Sequence, residues 1–258
     1  MTFSHTAPLP LLELLVENRK SLTPCPSPRG EGSRMKDMIE KELKEIWKEL
    51  PEGCRLVAIS KYHPVEAIQE AYDAGQRVFG ENHVQELVEK QAVLPQDIEW
   101  HMTGHLQTNK VKYIAPFISL IHAVDTPKLL KEIDKQGKKV GRTINCLLEL
   151  HIAEEETKWG FSEETLVEML EDGEWRNYQN VRICGLMMMA SFTDDTEQIR
   201  SEFRLAKQIF DRVKTRFFAD DPQFCELSMG MSHDYPIAIE EGSTMIRVGT
   251  KIFGERVY

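Results

Sequence analysis

Short apolar runs alternate with amphipathic segments along most of this chain, and each pattern predicts its own type of element. The apolar runs are rich in valine, isoleucine, leucine and methionine, which is typical of buried strands. Eight strands are predicted, at residues 55–60, 77–79, 98–103, 118–124, 143–152, 181–189, 224–228 and 245–249. The amphipathic segments repeat apolar residues at helical spacing and predict helices at 65–74, 84–91, 127–136, 163–170, 197–217 and 236–241.

Strands that alternate with helices in this way predict parallel βαβ units. Eight units within about 200 residues favour closure into a (β/α)8 TIM barrel of the α/β class. We expect this barrel to be a single domain over residues 35–258. A doubly wound open sheet is the alternative, and it is weakened because no G-x-G-x-x-G motif follows the first predicted strand.

The first 34 residues differ in composition from the rest. A tract of proline, glycine and serine at 23–33 cannot bury a core, so residues 1–34 are predicted to be a disordered N-terminal extension. One hypothesis is that translation begins at Met35, which mass spectrometry of the native N-terminus tests. Beyond it, Ile39, Leu43 and Ile46 repeat at helical spacing and predict a helix before the first strand.

Composition and charge narrow the classes of function. The chain has 258 residues, 41% of them apolar, and a net charge of −10, which argues against a nucleic-acid partner because such proteins carry a basic surface. There is no run of 18 apolar residues, so we expect neither a membrane span nor a membrane partner. The five cysteines form no C-x-x-C pair, which argues against a disulfide framework. A cytoplasmic protein is expected.

The stretch most informative about chemistry is 55–61, a β-type run that ends on Lys61. Pro64 then opens a helix, so Lys61 is predicted to lie at the carboxyl end of a strand, which is the ligand-binding rim of a parallel barrel. A partly desolvated lysine at such a rim can lose its proton and attack a carbonyl. The simpler alternative is a solvated surface charge.

Two further strand ends carry the features of an anion site. Ser228-x-Gly230-x-Ser232 offers two hydroxyl groups around a glycine, and Gly249-Thr250 follows the eighth predicted strand. Loops after the seventh and eighth strands of this fold commonly bind phosphate through amide and hydroxyl groups. The alternative is that these residues only form tight turns.

Arg247 stands in an otherwise apolar predicted strand and therefore needs a partner, since burying it unpaired is costly. Two alternatives remain open from the residues alone. Arg247 faces an acceptor on a ligand, such as a ring nitrogen, or it forms a structural ion pair with Glu81 or Glu149.

Two other types of site have little support. His101 and His105 have the spacing of a helical zinc pair, but they lie in a predicted strand and loop, and Met102 stands where a zinc protease needs glutamate. No metal site is therefore expected. No G-x-S-x-G motif is present either, which disfavours a serine hydrolase.

Several motifs, in the same order along the chain, resemble the YggS/PROSC family of pyridoxal phosphate homeostasis proteins. These pyridoxal 5'-phosphate (PLP) binding proteins are related to the N-terminal domain of alanine racemase. The resemblance covers residues 35–258 and rests on motifs at 57–61, 79–86, 100–110, 158–160, 185–187, 227–232 and 242–254. This chain departs from the usual family pattern at Tyr62, His63, His83 and His151, which leaves open whether the rim binds the same effectors.

The resemblance implies PLP held as an internal aldimine, with Lys61 as the Schiff-base lysine. Arg247 is similar to the arginine that hydrogen-bonds the pyridine nitrogen in alanine racemases. The other cofactor-binding residues implied by the resemblance hold the phosphate or line the same mouth, and they are Ser228, Ser232, Gly249, Thr250 and Asn82. No catalytic residue is implied.

We expect no second domain of the kind that supplies alanine racemases with an opposing tyrosine. The resemblance therefore implies a monomeric protein of PLP homeostasis that buffers PLP or hands it to PLP-dependent apo-enzymes, without robust catalytic turnover. Three alternatives are an amino-acid racemase, an aldolase that uses Lys61 without a cofactor, and a barrel that binds sugar phosphates.

Overall fold

The computed structural model describes residues 31–152 and 159–255, with the side chains of 31–36 left aside. The predicted disordered extension falls almost entirely on residues 1–30, which lie outside the described residues. The first helix begins at Glu31, ahead of Met35, so residues 31–34 of that predicted extension are helical.

Eight parallel strands form a closed barrel in which each strand pairs with its neighbours in sequence order. The strands are β1 (Arg55–Ile59), β2 (Val78–Glu81), β3 (Glu99–Met102), β4 (Leu120–Val124), β5 (Ile144–Leu150), β6 (Val181–Met188), β7 (Glu226–Ser228) and β8 (Met245–Val248). The ring closes where β1 pairs with β8, with Val57 opposite Arg247. The predicted (β/α)8 barrel is confirmed, and the open-sheet alternative is wrong for this chain.

Helices occupy the connections between strands in the described part of the chain. They are α1 (Glu31–Glu49), α2 (Val65–Asp73), α3 (Val84–Val93), α4 (Val111–Ile114), α5 (Pro127–Val140), α6 (Glu163–Asp172), α7 (Thr196–Phe217), α8 (Tyr235–Glu240) and α9 (Thr250–Phe253). Short 3-10 turns lie at Thr108–Lys110 and Glu174–Asn177. None of the helices in the described ranges is long and apolar enough to cross a membrane.

Local signals explain where these helices begin and end. The hydroxyl group of Thr126 accepts a hydrogen bond from the amide of Leu129 and caps α5, while Gly141 ends that helix in the left-handed conformation. The carboxylate of Asp195 caps α7 in the same way. The apolar face predicted for α7 is buried, with Phe203 and Phe210 packed against the barrel.

The apolar core has two layers. The larger layer lies between the outer face of the barrel and the helices, and it includes Ile68, Trp100 and Phe203. A smaller cluster fills the barrel interior and includes Val57 and Leu147. Successive residues of a strand point to opposite faces, so inward and outward side chains alternate up to the carboxyl ends, where the candidate site lies.

Candidate functional site

The mouth of the barrel brings together residues from the beginning and the end of the chain. Gly249 packs directly against β1, because a Cβ atom added there would lie 2.9 Å from the carbonyl oxygen of Ile59. The amide of Gly249 donates a 3.2 Å hydrogen bond to Oγ of Ser232. Lys61 follows Ile59 by two residues, so its backbone leaves β1 at the same rim as this pair. Thr250 then opens α9 on the exposed side.

Lys61 sits in a tight turn that leaves β1. The amide of His63 donates to the carbonyl of Ser60, and Lys61 and Tyr62 occupy the two central positions. Tyr62 has φ of +66°, a left-handed conformation that bulky residues rarely adopt. Lys61 itself is half-buried, as expected for a lysine at a barrel rim.

A buried polar cluster lies behind this turn, on the outer face of the barrel. Nζ of Lys90 donates to the carbonyl of Ser60 at 2.7 Å and to Oε1 of Glu81 at 2.8 Å. Glu81 also accepts a 2.6 Å hydrogen bond from the hydroxyl group of Ser60. Burial raises the pKa of Glu81 to about 7, although the ammonium group of Lys90 acts in the opposite direction.

Arg247 points into the barrel and is held by neighbouring strands. Nη1 donates to the carbonyl and to Oγ of Ser228 at 2.9 and 2.6 Å, and Nη2 donates to the carbonyl of Met188 at 2.9 Å. Burial lowers the pKa of Arg247 to about 10, with Asp234 and Glu149 opposing the shift, so the guanidinium is charged at neutral pH.

The alternative in which Arg247 forms an ion pair with Glu81 is wrong. Glu81 lies on the outer face of β2 and pairs with Lys90, whereas Arg247 faces the interior. The reason is the alternation of strand side chains, which sends neighbouring residues to opposite faces of the sheet. Glu149 does influence Arg247 electrostatically, but the two residues form no ion pair within the described part of the chain.

Ser228 lies inside the barrel, fully buried beneath Arg247. Its hydroxyl group contacts Nδ1 of His122 at 3.1 Å, and Nε2 of His122 lies 3.0 Å from Nδ1 of His101. The structure therefore joins Ser228 to Arg247 and two histidines, whereas the hydroxyl group of Ser232 meets the amide of Gly249 at the rim.

Both interior histidines are neutral. Burial lowers the pKa of His101 to about 3 and that of His122 well below its ordinary value, with neighbouring positive groups acting in the same direction. Arg247 can only donate, so Ser228 satisfies all groups when it accepts from Arg247 and donates to His122. His122 then donates through Nε2 to His101, which gives the chain one direction of hydrogen bonding.

Asn82 and Glu149 complete the polar lining near the carboxyl ends of the strands. Asn82 is half-buried, and its Oδ1 accepts a 2.9 Å hydrogen bond from the hydroxyl group of Thr103. Glu149 is 4% exposed, and its Oε2 has no hydrogen-bond partner among the described residues. Burial raises the pKa of Glu149 to about 8, Asp125 adds to the shift, and Arg247 opposes it.

His101 and His105 do not form the spaced pair considered from the sequence. His101 faces His122 inside the barrel, while Nδ1 of His105 lies 2.9 Å from Oδ2 of Asp125 at the rim. The ring of His105 stacks on Trp159 with centroids 3.8 Å apart. Within the described ranges, no group of three or more acidic, histidine or cysteine side chains is arranged to hold a metal ion.

Sequence reasoning missed four residues that support the site. His122 stands in an apolar strand, where a buried histidine signals a polar partner inside the core. Glu86 and Lys90 are four residues apart on a helix, which predicts only an ordinary surface pair. Ser60 has no distinguishing signal, since its role depends on which face of β1 it occupies.

The arrangement fits a ligand that carries an aldehyde, an anionic group and a ring with an acceptor. Lys61 offers an amine at the rim, and Ser232 with Gly249 offers hydroxyl and amide groups next to it. Arg247 offers a buried cation whose position is fixed by Ser228. PLP has all three matching groups.

Known proteins are similar to this chain in both sequence and fold. A family model described as alanine racemase, N-terminal domain, matches residues 36–257. A pyridoxal phosphate homeostasis protein of Aquifex aeolicus is 40% identical over 228 residues, which cover 88% of this chain and 97% of the relative. The pyridoxal phosphate homeostasis protein of Escherichia coli K12 is 37% identical over 215 residues, covering 81% and 88% respectively.

Solved structures agree. PipY of Synechococcus elongatus, determined with PLP bound, superposes with a TM-score of 0.76 at 37% identity and covers 84% of this chain and 100% of its own. An alanine racemase from E. faecalis superposes with a TM-score of 0.60 at 16% identity, covering 87% of this chain and 58% of the racemase. The second likeness concerns the fold alone.

Proposed function

The chain belongs to the family of alanine racemase N-terminal domains and, within it, to the pyridoxal phosphate homeostasis proteins, and from this premise we propose that it binds PLP covalently through Lys61 and serves intracellular PLP homeostasis. The observation that carries the proposal is the contact between Gly249 and Ile59. This contact supports the proposal because it brings the amide and hydroxyl pair proposed to hold the phosphate close to the strand that leads to Lys61.

Each predicted residue has a task in this proposal. PLP supplies an aldehyde that condenses with an amine and a pyridine ring that withdraws electrons. Lys61 provides the amine for the Schiff base, and Asn82 lines the mouth beside it. The phosphate is held by Ser232, Gly249 and Thr250.

Arg247 governs the electronic state of the ring. Its guanidinium is protonated at neutral pH and can only donate, so a ring nitrogen that faces it accepts a hydrogen bond and stays unprotonated. An unprotonated ring withdraws electrons weakly, so PLP beside Arg247 is a weaker electron sink than it would be beside a carboxylate. Ser228 contributes by fixing Arg247, because its hydroxyl group is taken by that guanidinium and by His122.

We infer a carrier that stores PLP and releases it to PLP-dependent apo-enzymes, acting as a monomer without robust turnover. A cytoplasmic location is supported by the four free cysteine thiols in the described chain, since reducing compartments keep thiols in this state. The function of the relatives, which are named as homeostasis proteins, supports the same role.

The test is the absorbance spectrum of the purified protein beside a Lys61→Ala variant, before and after borohydride. A Schiff base of PLP absorbs at about 420 nm, and the proposal expects this band in the wild type, its loss on reduction and a pyridoxyl group on Lys61 in peptide mapping. A protein that stays colourless after addition of PLP would overturn the proposal. Racemisation of alanine by the PLP-loaded protein would replace the carrier role with that of a racemase.

A further inference from the structure

We propose that Glu86 and Lys90, which lie outside the mouth on α3, are positioning residues that fix the direction of Lys61 for reaction with an aldehyde. The inference deepens the proposed function and, for its cofactor readout, rests on it. The cluster acts through the backbone on either side of Lys61.

Together we call Glu86 and Lys90 the clamp, and Lys90 provides its first half. Its Nζ donates to Oε1 of Glu86 at 2.6 Å, in addition to its bonds with Glu81 and with the carbonyl of Ser60. An ammonium group has three N–H donors, so these three bonds use all of them. Lys90 is only 5% exposed, and its side chain has no solvent to relax into.

Glu86 provides the second half. Its Oε1 accepts a 2.6 Å hydrogen bond from the amide of Tyr62 as well as the bond from Lys90. The carbonyl of Ser60 belongs to the peptide unit before Lys61, and the amide of Tyr62 belongs to the peptide unit after it. Both peptide planes that meet at Cα of Lys61 are therefore held from the outer side, and together they set the direction of its Cα–Cβ bond.

The conformation of Tyr62 explains why such a clamp is needed. Its φ of +66° is left-handed, and this conformation costs a residue with a Cβ atom about 1–2 kcal/mol. Without an opposing interaction the turn would relax to ordinary dihedral angles. That relaxation would rotate the peptide plane after Lys61 and move the lysine side chain.

A purely structural role for the cluster is the competing explanation. Buried ion pairs contribute little to stability on average, because desolvation offsets their attraction. A cluster that only fastened α3 to the barrel would change stability when broken, with no selective effect on Lys61. A positioning cluster also changes the reactivity of Lys61, which is what the experiment separates.

The affected reaction is condensation of Lys61 with an aldehyde. The amine nitrogen forms a C=N bond with the aldehyde carbon, the carbonyl oxygen leaves as water, and no oxidant or reductant is consumed. Its rate depends on holding the amine within reach of the carbonyl carbon in a reactive orientation. A misdirected lysine therefore slows the step without any change in the mouth residues.

The experiment compares Glu86→Ala with Glu89→Ala, a matched control on the same helix. Glu89 accepts from Gln85 and contacts neither Ser60 nor Tyr62. We expect Glu86→Ala to raise the hydrogen-exchange rate of the Tyr62 amide and to slow condensation of Lys61 with PLP by about tenfold or more. Glu89→Ala leaves both rates unchanged, and Glu86→Gln, which keeps an acceptor oxygen, restores much of both.

Two results overturn the inference. One is a Glu86→Ala protein with an exposed Tyr62 amide that still condenses with PLP at the wild-type rate. The other is an equal loss of rate in Glu86→Ala and Glu89→Ala, which would trace the effect to general destabilisation of α3.

A readout without PLP keeps this test separate from the proposed function. If the wild-type protein takes up no PLP, the proposed function fails, and methylation of Lys61 by formaldehyde and cyanoborohydride then measures its reactivity with an aldehyde. The clamp predicts slower methylation of Lys61 in Glu86→Ala, measured against the exposed Lys131 in the same digest. Equal methylation in the variant and the wild type counts against the clamp.

Discussion

Oγ of Ser228 lies 2.6 Å from Nη1 of Arg247, so this serine, which the sequence predicts to be a cofactor-binding residue, contacts the buried arginine. Ser228→Ala removes this acceptor and the partner of His122 together. We expect a loss of about 1–3 kcal/mol in the free energy of unfolding, because buried donors are left unpaired. Urea unfolding measures it. Ser201→Ala, at an exposed helical serine, is the control and should change stability by less than about 0.5 kcal/mol.

The same variant tests which group Ser228 serves. A serine that holds Arg247 affects PLP and pyridoxal alike, because both carry the pyridine ring. A serine that holds phosphate affects PLP alone. Titration of Ser228→Ala with each compound, followed by absorbance, should show equal loss of affinity, and a loss confined to PLP would return Ser228 to the phosphate site.

Glu149→Gln should alter the pH dependence of stability in the cofactor-free protein. The raised pKa of Glu149, about 8, means that the folded state holds a proton there which the unfolded state has lost. The contribution of Glu149 to the free energy of unfolding therefore falls as pH rises from about 5 to 9. Each tenfold change in proton affinity is worth about 1.4 kcal/mol, so the contribution of Glu149 to this change in stability is at most about 5 kcal/mol.

Glutamine mimics the protonated acid, so the variant should lack the fall in the free energy of unfolding that Glu149 causes as pH rises. Above about pH 8 the variant should therefore be more stable than the wild type. Glu81 titrates in the same direction in both proteins, and the difference between their curves isolates Glu149. Asp125 and Arg247 are the charged groups that act on Glu149, and both remain in the variant. Parallel curves for the two proteins would contradict the prediction.

The two interior histidines, His101 and His122, should give the free energy of unfolding the opposite dependence on pH below neutrality. Their pKa values are lowered in the folded state, so the unfolded chain binds protons that the folded protein excludes. Stability is lost as pH falls below about 6.5, at about 1.4 kcal/mol per pH unit for each histidine. Removing one of them in His101→Leu should halve this contribution, measured by urea unfolding between pH 7 and 5.

Gly249→Ala tests the contact beside the proposed phosphate site. Its φ of −123° lies outside the left-handed region, and the expected effect is argued from the contact with Ile59. The new Cβ would lie 2.9 Å from the carbonyl of Ile59, and the rim must shift. We expect affinity for PLP to fall about tenfold, which corresponds to about 1.4 kcal/mol. Pyridoxal, which has no phosphate, should bind the variant and the wild type equally in the same titration.

The fold could be predicted from the sequence because each strand and most helices carry their own local pattern of apolar and polar residues. All eight predicted strands are present, and the long helix α7 follows its predicted apolar face. The predicted strand at 224–228 is shortened to Glu226–Ser228. Phe224 is buried although it lies outside the strand. An apolar side chain in the sequence does not show whether a buried residue belongs to a strand or to the loop before it.

The site could be predicted from the sequence only in part, because pairing across strands decides which partners each side chain contacts. Lys61, Gly249 and Ser232 stand at strand ends, and that position alone suggested a common rim. The partners of Arg247 could not be read in advance, since they depend on which face each strand turns inward. The clamp behind Lys61 likewise joins residues that are distant in sequence.

Closure of the barrel through β1 and β8 has a consequence for synthesis of the protein. Lys61 lies near the beginning of the described chain, whereas Ser232, Gly249 and Thr250 lie near its end. The emerging polypeptide therefore has no complete cofactor site until the eighth strand has left the ribosome. If PLP binds as proposed, from that moment it holds the first strand to the last, and PLP supply becomes linked to the survival of newly made chains.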